Sequence, residues 1–125
     1  MLASAVYTGT RRQKVGGFVN PEDAKTFGQS GTVARSEETP EVARALRVQR
    51  NDLENISLFF AIGLIYILTG ASFVGAAVLC GIFTLARVAH TIVYLRGMQP
   101  ARAICFVIGI SCIFVMIFRI VVNLL

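Results

Sequence analysis

In the stretch RALRVQRNDLEN, Arg47, Asn51 and Glu54 recur at i, i+4 and i+7, which puts them on one face of a helix. Arg50 lies one step around that helix and four residues ahead of Glu54. Further along, Arg87, His90, Thr91 and Tyr94 repeat the spacing and set a cation, an imidazole, a hydroxyl and a phenol on a second stripe. Arg102 opens the next apolar stretch. Antiparallel packing of the helices that carry these groups brings them to one depth and forms a pocket suited to an anion. A ligand with carboxylates and a thiol or phosphate supplies the countercharge, and a guanidinium beside a thiol raises its thiolate fraction at neutral pH.

Each group also has a plainer reading. Arg50 and Glu54 form an ordinary i,i+4 pair, Arg87 and His90 hold helices together by hydrogen bonds, and Tyr94 belongs to an interfacial aromatic belt. Arg96 and Arg119 read as anchors that reach the headgroups. What favours a site is cost: a charge within a membrane helix costs about 2.5–3.5 kcal/mol on insertion scales and is usually kept where it lines a functional cavity.

A membrane setting follows from composition. Of 125 residues 55% are hydrophobic and only 15% charged, with a mean hydropathy of +0.69. These values exclude a disordered tail, a collagen-like repeat and most soluble charged modules. All seven acidic residues, Glu22, Asp23, Glu37, Glu38, Glu41, Asp52 and Glu54, precede Asn55. Beyond it the fixed charges are Arg87, Arg96, Arg102 and Arg119, so their countercharge must come from the first segment, a lipid or a ligand. The basic pI near 9.6 does not imply a nucleic-acid partner, because the arginines are dispersed through apolar runs and Trp is absent. Cys80, Cys105 and Cys112 lack metal-ligand spacing and read as small buried hydrophobes; no metal is expected.

The elements that must position the polar stripes are apolar helices. One runs from about Ile56 to Thr69, extended upstream by the polar helix-forming stretch from Glu41; others run over 73–95 and 103–125, near the roughly 20 residues a span requires. Gly70 ends the first. The predicted membrane helices are therefore 41–69, 73–95 and 103–125 within a single domain, 1–125. Residues 1–10 read as the end of a truncated apolar helix, and 11–40 as a cytoplasmic loop with a short helix at 21–27 that Asn20 caps and Pro21 opens. Basic residues cluster before the first span and around the turn between the last two, whereas Gly70 to Ser72 carries no charge. That asymmetry places the basic segments in the cytoplasm and Leu125 on the opposite side.

FVNPED (Phe18 to Asp23), RVQRNDLENI (Arg47 to Ile56), ARVAHTIVYL (Ala86 to Leu95) and PARA (Pro100 to Ala103) give the chain a resemblance to the MAPEG family, the membrane-associated proteins in eicosanoid and glutathione metabolism. Their order and spacing resemble those of its microsomal glutathione transferase and prostaglandin E synthase branches, over essentially the whole chain. The resemblance implies an all-α integral membrane fold, a four-helix transmembrane bundle assembling as a homotrimer, with the first helix truncated here. It implies glutathione as cosubstrate and a lipophilic electrophile as its partner. Arg12, Arg50, Asn51, Glu54, His90 and Tyr94 then contact glutathione, Glu54 meeting its amino group and the arginines its carboxylates, while Arg102 stabilises the thiolate. Asp23 matches an aspartate assigned to the prostaglandin branch. Where that branch has a serine and a tyrosine, this chain has Ala103 and Phe106, which moves the expectation towards a transferase with peroxidase activity on lipid hydroperoxides. A prostaglandin isomerase and a non-catalytic scaffold are the alternatives. The expected location is the endoplasmic reticulum or outer mitochondrial membrane, with a bacterial inner membrane as the other possibility.

Overall fold

The computed structural model describes residues 2–28 and 32–125; Met1 and residues 29–31, which belong to the expected N-terminal segment and loop, lie outside the described residues. The described residues form helices α1 (Leu2–Val15), α2 (Pro21–Phe27), α3 (Pro40–Leu68), α4 (Phe73–Leu95) and α5 (Gln99–Leu124), and contain no strand. The chain divides into two compact units, Met1–Arg50 and Asn51–Leu125, and α3 runs through the boundary. At 29, 23 and 26 residues, α3, α4 and α5 are about 44, 35 and 39 Å long. All three are long and apolar enough to cross a hydrocarbon core about 30 Å thick.

In the first unit, α1 continues through Arg11 and Arg12 and stops at Gly16, whose φ of +59° a side chain would disfavour. The amides of Gly16 and Gly17 close the end by donating to the carbonyls of Gln13 and Arg12 at 3.3 and 3.1 Å. α2 starts where Pro21 predicts, but Asn20 makes no side-chain cap. Its amide nitrogen donates instead to Asp23 Oδ2 at 3.2 Å, turning the NH2 rather than the carbonyl towards the helix. The Arg35 amide donates to the Phe18 carbonyl at 2.8 Å, and Phe18 and Ala24 are buried. Polar contacts join α1 to the start of α3: Gln49 Nε2 donates to Thr8 Oγ1 at 2.9 Å, Arg11 lies 3.6 Å from Glu41, and Arg12 is ion-paired with Glu38. Val42, Ala45 and Val48 are buried along one stripe of α3.

The second unit has a core of Phe59, Tyr66, Phe83, Cys112, Ile113 and Met116 from α3, α4 and α5. The rings of Phe59 and Phe83 stack with centroids 3.8 Å apart. Gly70, with φ +83°, ends α3, and Ser72 caps α4 by accepting from the Gly75 amide at 3.1 Å. Gly97, at φ +74°, terminates α4, with the Gly97 and Met98 amides donating back to Tyr94 and Val93. α5 begins at Gln99 rather than at Ala103, because Pro100 fits a helical first turn although it adds no apolar signal. α4 and α5 pack against each other, and the outward faces of α3, α4 and α5 carry exposed apolar side chains such as Phe60, Leu85, Phe114 and Phe118, as helices facing lipid do.

Candidate functional site

Helical phase decides which polar residues of α3 enter the core. Arg47, Arg50 and Glu54 are exposed and Asn51 is half-buried, whereas Asp52 and Asn55 are buried on the stripe that continues through Phe59 and Tyr66. Asp52 occupies a place on that stripe where an apolar side chain would be expected. On α4 the buried stripe is Phe83, Ala86, Arg87 and His90, with Thr91 and Tyr94 half-buried beyond them.

These stripes meet in a polar cluster. Arg87 and Asp52 form an ion pair in which the side chains are 5% and 3% exposed, so neither charge is left to solvent. One guanidinium nitrogen, Nη2, donates both to Asp52 Oδ1 and to Asn51 Oδ1, the latter at 2.6 Å. Thr91 Oγ1 donates to the other carboxylate oxygen, Asp52 Oδ2, at 3.2 Å. Asn55 Nδ2 donates to the Asn51 backbone carbonyl at 2.8 Å, as an i−4 contact along α3. The methylenes of Arg87 lie over Gly109 of α5, where a β-carbon would sit 3.6 Å from Arg87 Cδ. The buried charge is thus neutralised, packed and hydrogen-bonded through Nη2, which is how an ion pair is tolerated in a low-dielectric interior.

Towards the end of α4 a second arrangement forms around Tyr94. The Arg102 guanidinium lies over the Tyr94 ring with its carbon 4.5 Å from the centroid, a cation–π contact. His90 meets the same ring edge-on at 5.5 Å and faces Phe106 at 6.4 Å. Among the described residues no carboxylate pairs with Arg102. His90 Nδ1 and Arg87 Nε are buried without a hydrogen-bond partner. Arg102 is thus a held cation with no paired carboxylate among the described residues, beside a buried imidazole whose Nδ1 has no hydrogen-bond partner.

The structure therefore joins Asn51, Arg87 and Thr91 in one cluster, and His90, Tyr94 and Arg102 in another. Within the first unit, Arg12 is paired with Glu38, and Asp23 is half-buried and accepts from Asn20. Asp52 is the residue that spacing alone did not single out. Its signal was present: Arg87 needs an acid from before residue 55, and Asp52 is the carboxylate in phase with Val48, Asn55 and Phe59.

A model of the MAPEG family matches residues 1–122. The chain belongs to the MAPEG family. It is 39% identical to microsomal glutathione S-transferase 1 of Sus scrofa over 119 residues, which cover 94% of this chain and 74% of that protein. It is 40% identical to microsomal glutathione S-transferase 1 of Rattus norvegicus over 104 residues, 82% of this chain and 67% of the relative. With the human prostaglandin E synthase it shares 36% identity over 110 residues, 87% of this chain and 70% of that protein. Membership of MAPEG and three helices long and apolar enough to span make this an integral membrane protein. As a MAPEG chain it also keeps the family resemblance of its motifs inside the two clusters: RVQRNDLENI supplies Asn51 and Asp52, and ARVAHTIVYL supplies Arg87, His90, Thr91 and Tyr94.

Proposed function

We propose that this protein is a membrane-bound, homotrimeric glutathione transferase that joins glutathione to lipophilic electrophiles and reduces lipid hydroperoxides. The observation that carries this reading is Arg102, a guanidinium held over the Tyr94 ring with no carboxylate of the described chain to balance it. The donor set suits a small anionic peptide. Arg102 offers positive charge for a thiolate, His90 a spare ring nitrogen, Asn51 an amide, and Glu54 a carboxylate for an ammonium group. Arg12, Arg47 and Arg50 are cations for the glutathione carboxylates. Relatives named as glutathione transferases, 39–40% identical, support the same substrate.

In the proposed reaction, glutathione loses its thiol proton to solvent and Arg102 stabilises the resulting thiolate. The sulfur attacks an electrophilic carbon, a C–S bond forms and the leaving group departs with its electron pair; with a chlorodinitrobenzene that group is chloride. The chain contributes charge and proximity and forms no covalent bond of its own. The electrophile arrives from the bilayer, and the site is shared between neighbouring subunits of a four-helix bundle in the endoplasmic reticulum membrane. Ala103 and Phe106 favour this reading over a prostaglandin isomerase, since neither offers a hydroxyl beside Arg102. Asp23 has a role only under the isomerase reading.

Calorimetry of glutathione with the detergent-purified chain, followed by conjugation of a chlorodinitrobenzene in the same sample, tests the proposal. Binding with turnover is the expected result. Binding without conjugation, accompanied by rearrangement of a prostaglandin endoperoxide, replaces it by the isomerase reading, and absence of binding replaces it by a scaffold.

A further inference from the structure

We infer that Asp52, Arg87 and Thr91 are positioning residues that fix the Asn51 side-chain amide with its NH2 group turned to the substrate. This rests on the glutathione reading and refines it, because the spacing of Arg87 and Thr91 by itself suggests that they touch the ligand.

The argument starts from what an arginine can accept, which is nothing: its guanidinium carries donors only. The Asn51 atom facing Arg87 Nη2 at 2.6 Å must therefore be the carbonyl oxygen, and the amide cannot turn over without setting donor against donor. Since the amide is planar, a pinned oxygen directs its two N–H bonds away from Arg87. The part of Asn51 turned away from Arg87 is then its NH2 group, a pair of donors that suits a carboxylate or a peptide carbonyl oxygen of the ligand rather than an ammonium group. Glu54, one turn on, has the opposite preference. A zwitterionic γ-glutamyl peptide presents both partners.

The remaining members serve that one orientation. Both hydrogens of Arg87 Nη2 are spent, on Asn51 Oδ1 and on Asp52 Oδ1. The Asp52 carboxylate balances the charge, and its second oxygen accepts from Thr91, so it is held at both ends from α4. Asp52 and Arg87 are 2% and 5% exposed, while Asn51 is half-buried and carries the cluster to the surface of the unit. A pair serving only to join helices would not need its guanidinium to bridge to a neighbouring amide.

The test uses the full chain, purified in detergent. Removing one charge alone strands the other, so the informative variant is the double substitution Asp52→Leu/Arg87→Met, which replaces the ion pair by apolar side chains of similar volume. The trimer should assemble, and the KM for glutathione should rise about tenfold, the loss of one hydrogen bond to a charged group, while kcat at saturating glutathione and the KM for the electrophile stay within about twofold. Asn51→Asp, which keeps the acceptor for Arg87 but turns the outer donors into an acceptor, should raise the glutathione KM at least as much. Combined with the double variant it should add little further, because the residues act as one unit. An assembled double variant with a native glutathione KM, or full additivity with Asn51→Asp, overturns the inference. If the double variant does not assemble, Thr91→Val provides the reading: a rise of about threefold in glutathione KM at unchanged kcat supports the inference, and no rise overturns it. Failure of the unmodified chain to bind glutathione removes the function and this inference together, whereas failure of the inference alone leaves that binding intact.

Discussion

Arg87 and Arg102 stand fifteen positions apart in the same unit, and their surroundings differ in kind. Arg87 is buried, ion-paired with Asp52 and bonded to Asn51, so its charge is satisfied by the chain itself. Arg102 is half-buried and rests on the face of Tyr94 without a carboxylate partner among the described residues. A balanced cation in a low-dielectric interior is worth its neighbours' geometry, while one held by an aromatic quadrupole keeps most of its charge for a ligand. Two arginines that look alike as intramembrane charges thus divide into one paired with a carboxylate of its own unit and one held by an aromatic ring with no paired carboxylate among the described residues.

The comparison can be broken from either side. The largest effect is expected for Asp52→Ala, which leaves Arg87 buried and uncompensated and should lower stability by about 3–5 kcal/mol. Scanning calorimetry of the solubilised protein measures it, and an unchanged transition would mean that Asp52 does not balance Arg87. Next comes Arg102→Leu: conjugation should fall about 10²–10³-fold with the assembly preserved, as when one preorganised charge-stabilising donor is removed. Ultraviolet absorbance of the bound thiolate should vanish in that variant, and its persistence would return Arg102 to an anchoring role. Tyr94→Leu removes the platform beneath Arg102, worth about 1 kcal/mol, and should cost roughly fivefold in turnover. Tyr94→Phe should recover much of that loss in the same kinetic assay if the ring face carries the cation. The smallest effect belongs to the first unit. Arg12 and Glu38 are also ion-paired, but with side chains 29% and 19% exposed, so Glu38→Gln should change the melting free energy by about 1 kcal/mol or less.

Much of this architecture is legible in the amino-acid sequence. Apolar length marked the helices that became α3, α4 and α5, and Pro21 marked the start of α2. The spacing of Arg87, His90, Thr91 and Tyr94 placed them on one stripe, and the structure has Arg87 and His90 buried side by side on α4. Boundaries were less legible. Pro100 hid the first turn of α5, and the polar NH2 of Asn20 went to Asp23 although its residue type suggested a cap. On α3 the stripe of Arg47, Asn51 and Glu54 is one helical face; Asn51 is half-buried and bonded to Arg87, whereas Arg47 and Glu54 are exposed. Spacing defines which residues share a face and leaves open which face turns inward.

What the sequence determined by itself is the set of helices long and apolar enough to span, and the rule that arginines beyond Asn55 must find their countercharge elsewhere. Both follow from composition along the chain, since apolar length and the location of acids need no coordinates. Only the tertiary structure decided which acid answers Arg87. Asp52 and Glu54 are two residues apart, but each step around a helix is about 100°, so when Phe59 and Tyr66 pack inward Asp52 turns with them and Glu54 faces out. The phase of one packed helix against another made Arg87 a buried, balanced charge, and the glycine turn at Gly97 set Arg102 over Tyr94.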